Sequence, residues 1–69
     1  MHIEKEGEIY KIDVGRNRKA TVTVGMEQPN RVIVNMPFEL GSFDDWIECM
    51  HTVSEGLKKI RFDVQESIK

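Results

Sequence analysis

SFDDWIECMHTVSEGLKKIRFDVQ, residues 42 to 65, is the stretch whose reading decides how this chain is built. Ser42 can accept a hydrogen bond from the amides of a first helical turn, and Asp45 stands three residues on. Ser42-Phe43-Asp44-Asp45 is therefore a variant of the capping box, and a helix is expected to start there. Phe43, Trp46, Ile47, Met50, Val53 and Leu57 recur at helical spacing, while Asp44, Asp45, Glu48, His51, Thr52 and Glu55 take the opposite face. Gly56 offers the left-handed residue on which many helices end, with Leu57 placed for the accompanying apolar contact. From Lys59 to Gln65 charged and apolar residues alternate, which is the period of a half-buried strand.

A second reading of the same stretch exists. Phe43, Trp46, Met50, Val53, Leu57, Ile60 and Val64 also fall at alternating three- and four-residue steps, as a heptad does. It needs one long helix carried through Gly56, at about 1 kcal/mol relative to alanine, and it leaves Phe62 outside. A helix followed by a strand accounts for Phe62 and is the expectation adopted.

Upstream, Glu8 to Val14 alternates with Tyr10, Ile12 and Val14 on one side and Ile9, Lys11 and Asp13 on the other. A turn follows at Gly15-Arg16-Asn17-Arg18. Ala20, Val22 and Val24 then alternate with Thr21 and Thr23 in a second strand. Gly25 to Asn30, with Gln28-Pro29-Asn30, reads as a second turn. Arg31 to Met36 makes a third strand, with Val32, Val34 and Met36 on one face, and Pro37 ends it. The expected fold is thus a single small α+β domain over residues 1–69, ordered β-β-β-α-β, with residues 1–6 frayed. A three-stranded antiparallel meander would be completed by a C-terminal strand lying parallel to the third. One sheet face would pack on Phe43, Trp46, Ile47, Met50 and Val53. The other would bear Ile9, Lys11, Thr21, Thr23, Ile33 and Asn35.

Sixty-nine residues make one small domain with a marginal core. A single cysteine excludes an internal disulfide framework and no zinc-type Cys/His pairs occur, so oligomerisation is the remaining common support. No apolar run reaches membrane-spanning length and nothing resembles a signal peptide, so no membrane association is expected and the expected location is the cytoplasm. The net charge of −2 argues against generic polyanion binding. Residues 1–35 nevertheless hold Lys5, Lys11, Arg16, Arg18, Lys19 and Arg31, whereas the helical segment is acidic.

Candidate chemistry is sparse. Cys49 and His51 stand two apart, so on a helix their side chains diverge by about 200° and cannot act together; Cys49 reads as the edge of a buried face. Asp44, Glu48 and His51 follow one helix face but lack a further ligand, and a solvated face complementing the helix dipole accounts for them. Neither a metal nor another cofactor is expected, and the chain is expected not to be an enzyme. The basic turn is the better candidate: Arg16, Arg18 and Lys19, with Lys11 and Arg31, could grip phosphates beside the Thr and Asn donors of the open face. No aromatic side chain falls on that face, so the stacking platform of single-strand binders is missing.

Thr21-Val22-Thr23-Val24 followed by Asn30-Arg31-Val32-Ile33-Val34-Asn35-Met36-Pro37 is similar to the central strands of the carbon storage regulator family of small dimeric RNA-binding proteins, over about a fifth of the chain. That resemblance implies RNA binding through a basic first strand and a basic segment after the last. Here those places hold Glu4, Lys5, Glu6 and Gly41, Ser42, Phe43, so none of that family's binding residues carries over.

The resulting expectation is a non-enzymatic interaction module that binds another protein, as a homodimer. Its contact residues would be Ile9, Thr21, Thr23, Ile33 and Asn35 on the open face and Glu48 on the helix, with a free edge strand available for β-augmentation. The alternative is a nucleic-acid-binding regulator using Lys11, Arg16, Arg18, Lys19 and Arg31.

Overall fold

A computed structural model describes residues 2–25, 27 and 30–68. The order is β1 (Ile3–Glu6), β2 (Ile9–Asp13), β3 (Lys19–Val24), β4 (Val32–Asn35) and α1 (Phe43–Ile68). The chain divides into two units, Met1–Glu39 with the sheet and Leu40–Lys69 with the helix.

In the first unit the strands lie side by side as β1-β2-β3-β4, each antiparallel to its sequence neighbour. The three expected strands are present with ends shifted by a residue or so. A fourth precedes them, because residues 3–6 are not frayed but pair with β2, Glu4 opposite Lys11 and Glu6 opposite Ile9. The connecting turn carries Gly7 at φ 61, the positive angle that a type II′ hairpin needs at its first central position.

Between β2 and β3 the chain turns at Gly15-Arg16-Asn17-Arg18 as the sequence predicts. Arg16 and Asn17 both take positive φ, 54 and 58, and the Arg18 amide donates to the Gly15 carbonyl at 3.0 Å. Two consecutive left-handed residues define a type I′ turn, whose twist suits a hairpin although Arg is an expensive choice for the conformation. The Asp13 carboxylate fastens the turn by accepting from the Gly15 amide at 2.9 Å. Of the next turn, Met26, Gln28 and Pro29 lie outside the described residues; its ends are joined by the Gly25 amide donating to the Arg31 carbonyl at 2.8 Å. Tyr10, Ile12, Ala20, Val22 and Val24 are buried, all on the face that alternation assigns inward.

The second unit corrects the sequence reading. Among the described residues no strand follows the helix and no strands pair in parallel: α1 runs for 26 residues through Gly56 to Ile68, and the order is β-β-β-β-α. Ile60 and Val64 are buried and Phe62 is 66% exposed, the i, i+4 signature of a helix. Carrying the helix through Gly56 costs about 1 kcal/mol relative to alanine, and the glycine lies within the buried stripe rather than at a break.

The helix start is as predicted. Ser42 Oγ accepts from the Asp45 amide at 3.1 Å, and the Asp45 carboxylate accepts from the Gly41 amide at 3.0 Å. Asp45 is buried, so it does not belong to the polar face. The buried stripe is Asp45, Cys49, Val53, Gly56, Ile60 and Val64. Phe43, Trp46, Ile47 and Met50, expected inside, are exposed, Phe43 at 89%. At about 100° per residue the two sets are centred about a quarter-turn apart. The apolar arc of the first turns is wider than the face that becomes buried, and Cys49 lies within that face. Among the described residues no helix is long and apolar enough to cross a membrane.

Candidate protein-interaction surface

The pairing register places most of the expected contact residues together. Ile9, Thr23 and Ile33 form one row across β2, β3 and β4, and Lys11, Thr21 and Asn35 the next. Side chains in such rows point to the same face. Thr21 Oγ1 donates to the Asn35 carbonyl at 3.5 Å, tying β3 to β4. Glu48 is exposed on α1, in the other unit.

The basic residues do not form one patch. Lys11 Nζ lies 3.1 Å from Glu6 Oε2, and Lys19 Nζ lies 3.8 Å from Glu4 Oε2. Both lysines are thus engaged by carboxylates of β1, the strand that sequence reading missed. Arg18 is half-buried, with its guanidinium 5.1 Å from the centre of the Phe38 ring and its Nε donating to the Gly15 carbonyl at 3.3 Å. Arg31 sits at the far end of the sheet: from Lys19 to Val24, the last β3 residue before it, the strand rises about 17 Å. A hydrogen bond from His2 and then the charge of Lys19 hold the Glu4 carboxyl below its ordinary value. Among the described residues no three His, Cys, Asp or Glu side chains are grouped to hold a metal ion.

The strand expected over Arg31 to Met36 is β4, and what the sequence does not reveal is that this strand is the apolar edge. It is an edge strand and all four of its residues are exposed, Val32 at 51%, Ile33 at 65% and Val34 at 38%. Val32 and Val34 were expected in the core. They lie outside it because the strand expected beside β4 is helix instead.

Backbone polarity at this edge follows from the ladder. Gly25 donates to the Arg31 carbonyl, so Gly25 and Arg31 are a hydrogen-bonded pair, and antiparallel alternation makes Thr23–Ile33 and Thr21–Asn35 such pairs too. The N–H and C=O groups of Val32 and Val34 therefore point outward from the sheet. The opposite edge, β1, reads Ile3-Glu4-Lys5-Glu6, and its charges discourage pairing with another strand. A run of three apolar residues at the end of a meander, with no alternation, is the signal in the sequence that could have marked β4 as the exposed edge. A second exposed apolar set, Phe43, Trp46, Ile47 and Met50, lies along the first two turns of α1.

The chain matches no protein-family model, no curated protein and no solved structure.

Proposed function

We propose that the chain is a non-enzymatic interaction module that binds another protein and works as a homodimer. One observation carries this reading: an uncharged apolar edge strand, β4, with all its side chains exposed and every second backbone unit turned outward. Such an edge offers main-chain hydrogen bonds for affinity and alternate side chains for specificity, which is the chemistry of β-augmentation. The exposed apolar turns of α1 add a second surface of the kind that aromatic and Met side chains suit.

The nucleic-acid reading has weaker support. Arg16, lifted on the type I′ turn, speaks for it. Against it stand the carboxylates beside Lys11 and Lys19, the stacking of Arg18 on Phe38, and the distance to Arg31.

A photo-reactive phenylalanine analogue placed at Ile33 or Ile47, with Glu66 as the control position, tests the proposal in lysate. Discrete protein adducts at the two apolar positions, removed by a second change of Val32→Asp or Met50→Asp respectively, are expected. Adducts no different from the control would overturn it. Binding to short oligonucleotides that is lost with salt and with Arg16→Glu would favour the alternative.

A further inference from the structure

We propose that β4 pairs with β4 of a second copy of this chain, antiparallel, about a two-fold axis passing beside Ile33. The inference rests on the interaction-module reading and names the occupant of the edge. Val32 and Val34 are the residues whose backbone groups face outward, and they flank Ile33 symmetrically. In this register Val32 of each copy stands opposite Val34 of the other, and the two exchange both of their N–H···O bonds. Ile33 meets Ile33 of the second copy as a non-hydrogen-bonded pair, the closer of the two antiparallel spacings at about 4.5 Å between Cα atoms. Registers shifted to either side leave part of the Val-Ile-Val block opposite polar residues. This one lays it wholly on itself, as an isologous contact requires.

Charge points to the same occupant. Within Val32–Asn35 there is no ionisable side chain, so a second copy meets no repulsion there. Arg31 falls opposite Asn35 of the second copy rather than opposite its own counterpart. On β1 the outward backbone groups are those of Ile3 and Lys5, so the same operation would set Glu4 against Glu4, like charges at the axis. Self-pairing at β4 would give a continuous eight-stranded sheet. The paired segment is short, so affinity in the micromolar range is expected.

Sedimentation velocity of the full chain across the micromolar range tests this, with two variants. Ile33→Lys sets two ammonium groups together at the axis and should weaken the dimer at least tenfold. Val34→Pro deletes an outward N–H while leaving the bonds to β3 intact, and proline is tolerated at sheet edges; it should give a folded monomer by circular dichroism. Ile33→Cys should form an intermolecular disulfide on mild oxidation far faster than Val32→Cys or the unaltered protein with its buried Cys49. If Val34→Pro fails to fold, Ile33→Lys and the cysteine pair decide. A wild-type monomer throughout, or a dimer indifferent to Ile33→Lys with equal cross-linking at both cysteine positions, would overturn self-pairing. In that event adducts of other proteins at Ile33 would keep the interaction module, whereas silence there would end both.

Discussion

Continuity of α1 through Gly56 makes Ile60 and Phe62 energetically unlike, although they are two residues apart and both large and apolar. Ile60 is 4% exposed and Phe62 is 66% exposed. Ile60→Ala removes three carbons beyond Cβ, at about 0.8 kcal/mol each for lost burial, and leaves a cavity, so a loss of about 3 kcal/mol is expected. Phe62→Glu forfeits only the third of the ring that is covered, about 0.5–1 kcal/mol, and regains a few tenths through better helix propensity. Its net cost should stay near 0.5 kcal/mol. A chain of this length has a total stability of about 3–10 kcal/mol, so Ile60→Ala should shift a urea midpoint conspicuously and Phe62→Glu barely. Far-UV circular dichroism during urea unfolding measures both. Equal losses would refute the reasoning, because a strand over Lys59–Gln65 turns Ile60, Phe62 and Val64 to one buried face together.

At the β2–β3 turn, Arg16→Asn with Asn17→Gly supplies the pair that type I′ turns favour, and should raise stability by about 1 kcal/mol; Arg16→Val should lower it by at least as much. Removing the cap with Ser42→Ala should cost about 1 kcal/mol in the same unfolding experiment, since the Asp45 amide loses its acceptor. The Glu4 carboxyl should titrate below its ordinary value of 4.5 when followed by NMR, and His2→Ala should move it back upward. Because the folded-state value is the lower one, the contribution of Glu4 to stability is present above the unfolded value. It is lost as pH falls through the folded one.

Local signals were legible where one pattern was satisfied by one structure. The alternation of Tyr10 and Ile12, of Ala20, Val22 and Val24, and the positive-φ turn between them are plain in the sequence, as is the Ser42 cap. Residues Lys59–Gln65 satisfied two patterns at once, because Ile60 and Val64 are two strand steps apart and also one helical turn apart. The lone Gly56 tipped the reading toward a break, whereas α1 continues through it with the glycine on the buried stripe. First-strand residues Ile3–Glu6 escaped notice because they carry no apolar rhythm: three of the four are charged, and the strand shows only in its backbone pairing with β2. Of the candidate contact surface, the open sheet face was read residue by residue. A free edge strand was expected without being located, since its place at β4 follows from the strand that never forms.

Every strand in the sheet pairs with its immediate predecessor in sequence. Each step of sheet assembly therefore closes a loop of only a few residues, and such short closures are entropically cheap and fast. The sheet can be laid down in the order in which the chain is synthesised, without waiting for residues beyond Asn35. β4 is then the last strand added. The interval in which Val32-Ile33-Val34 trails as a bare apolar segment, with both edges unpaired, is accordingly brief, and this topology shortens the exposure to uncontrolled aggregation during synthesis.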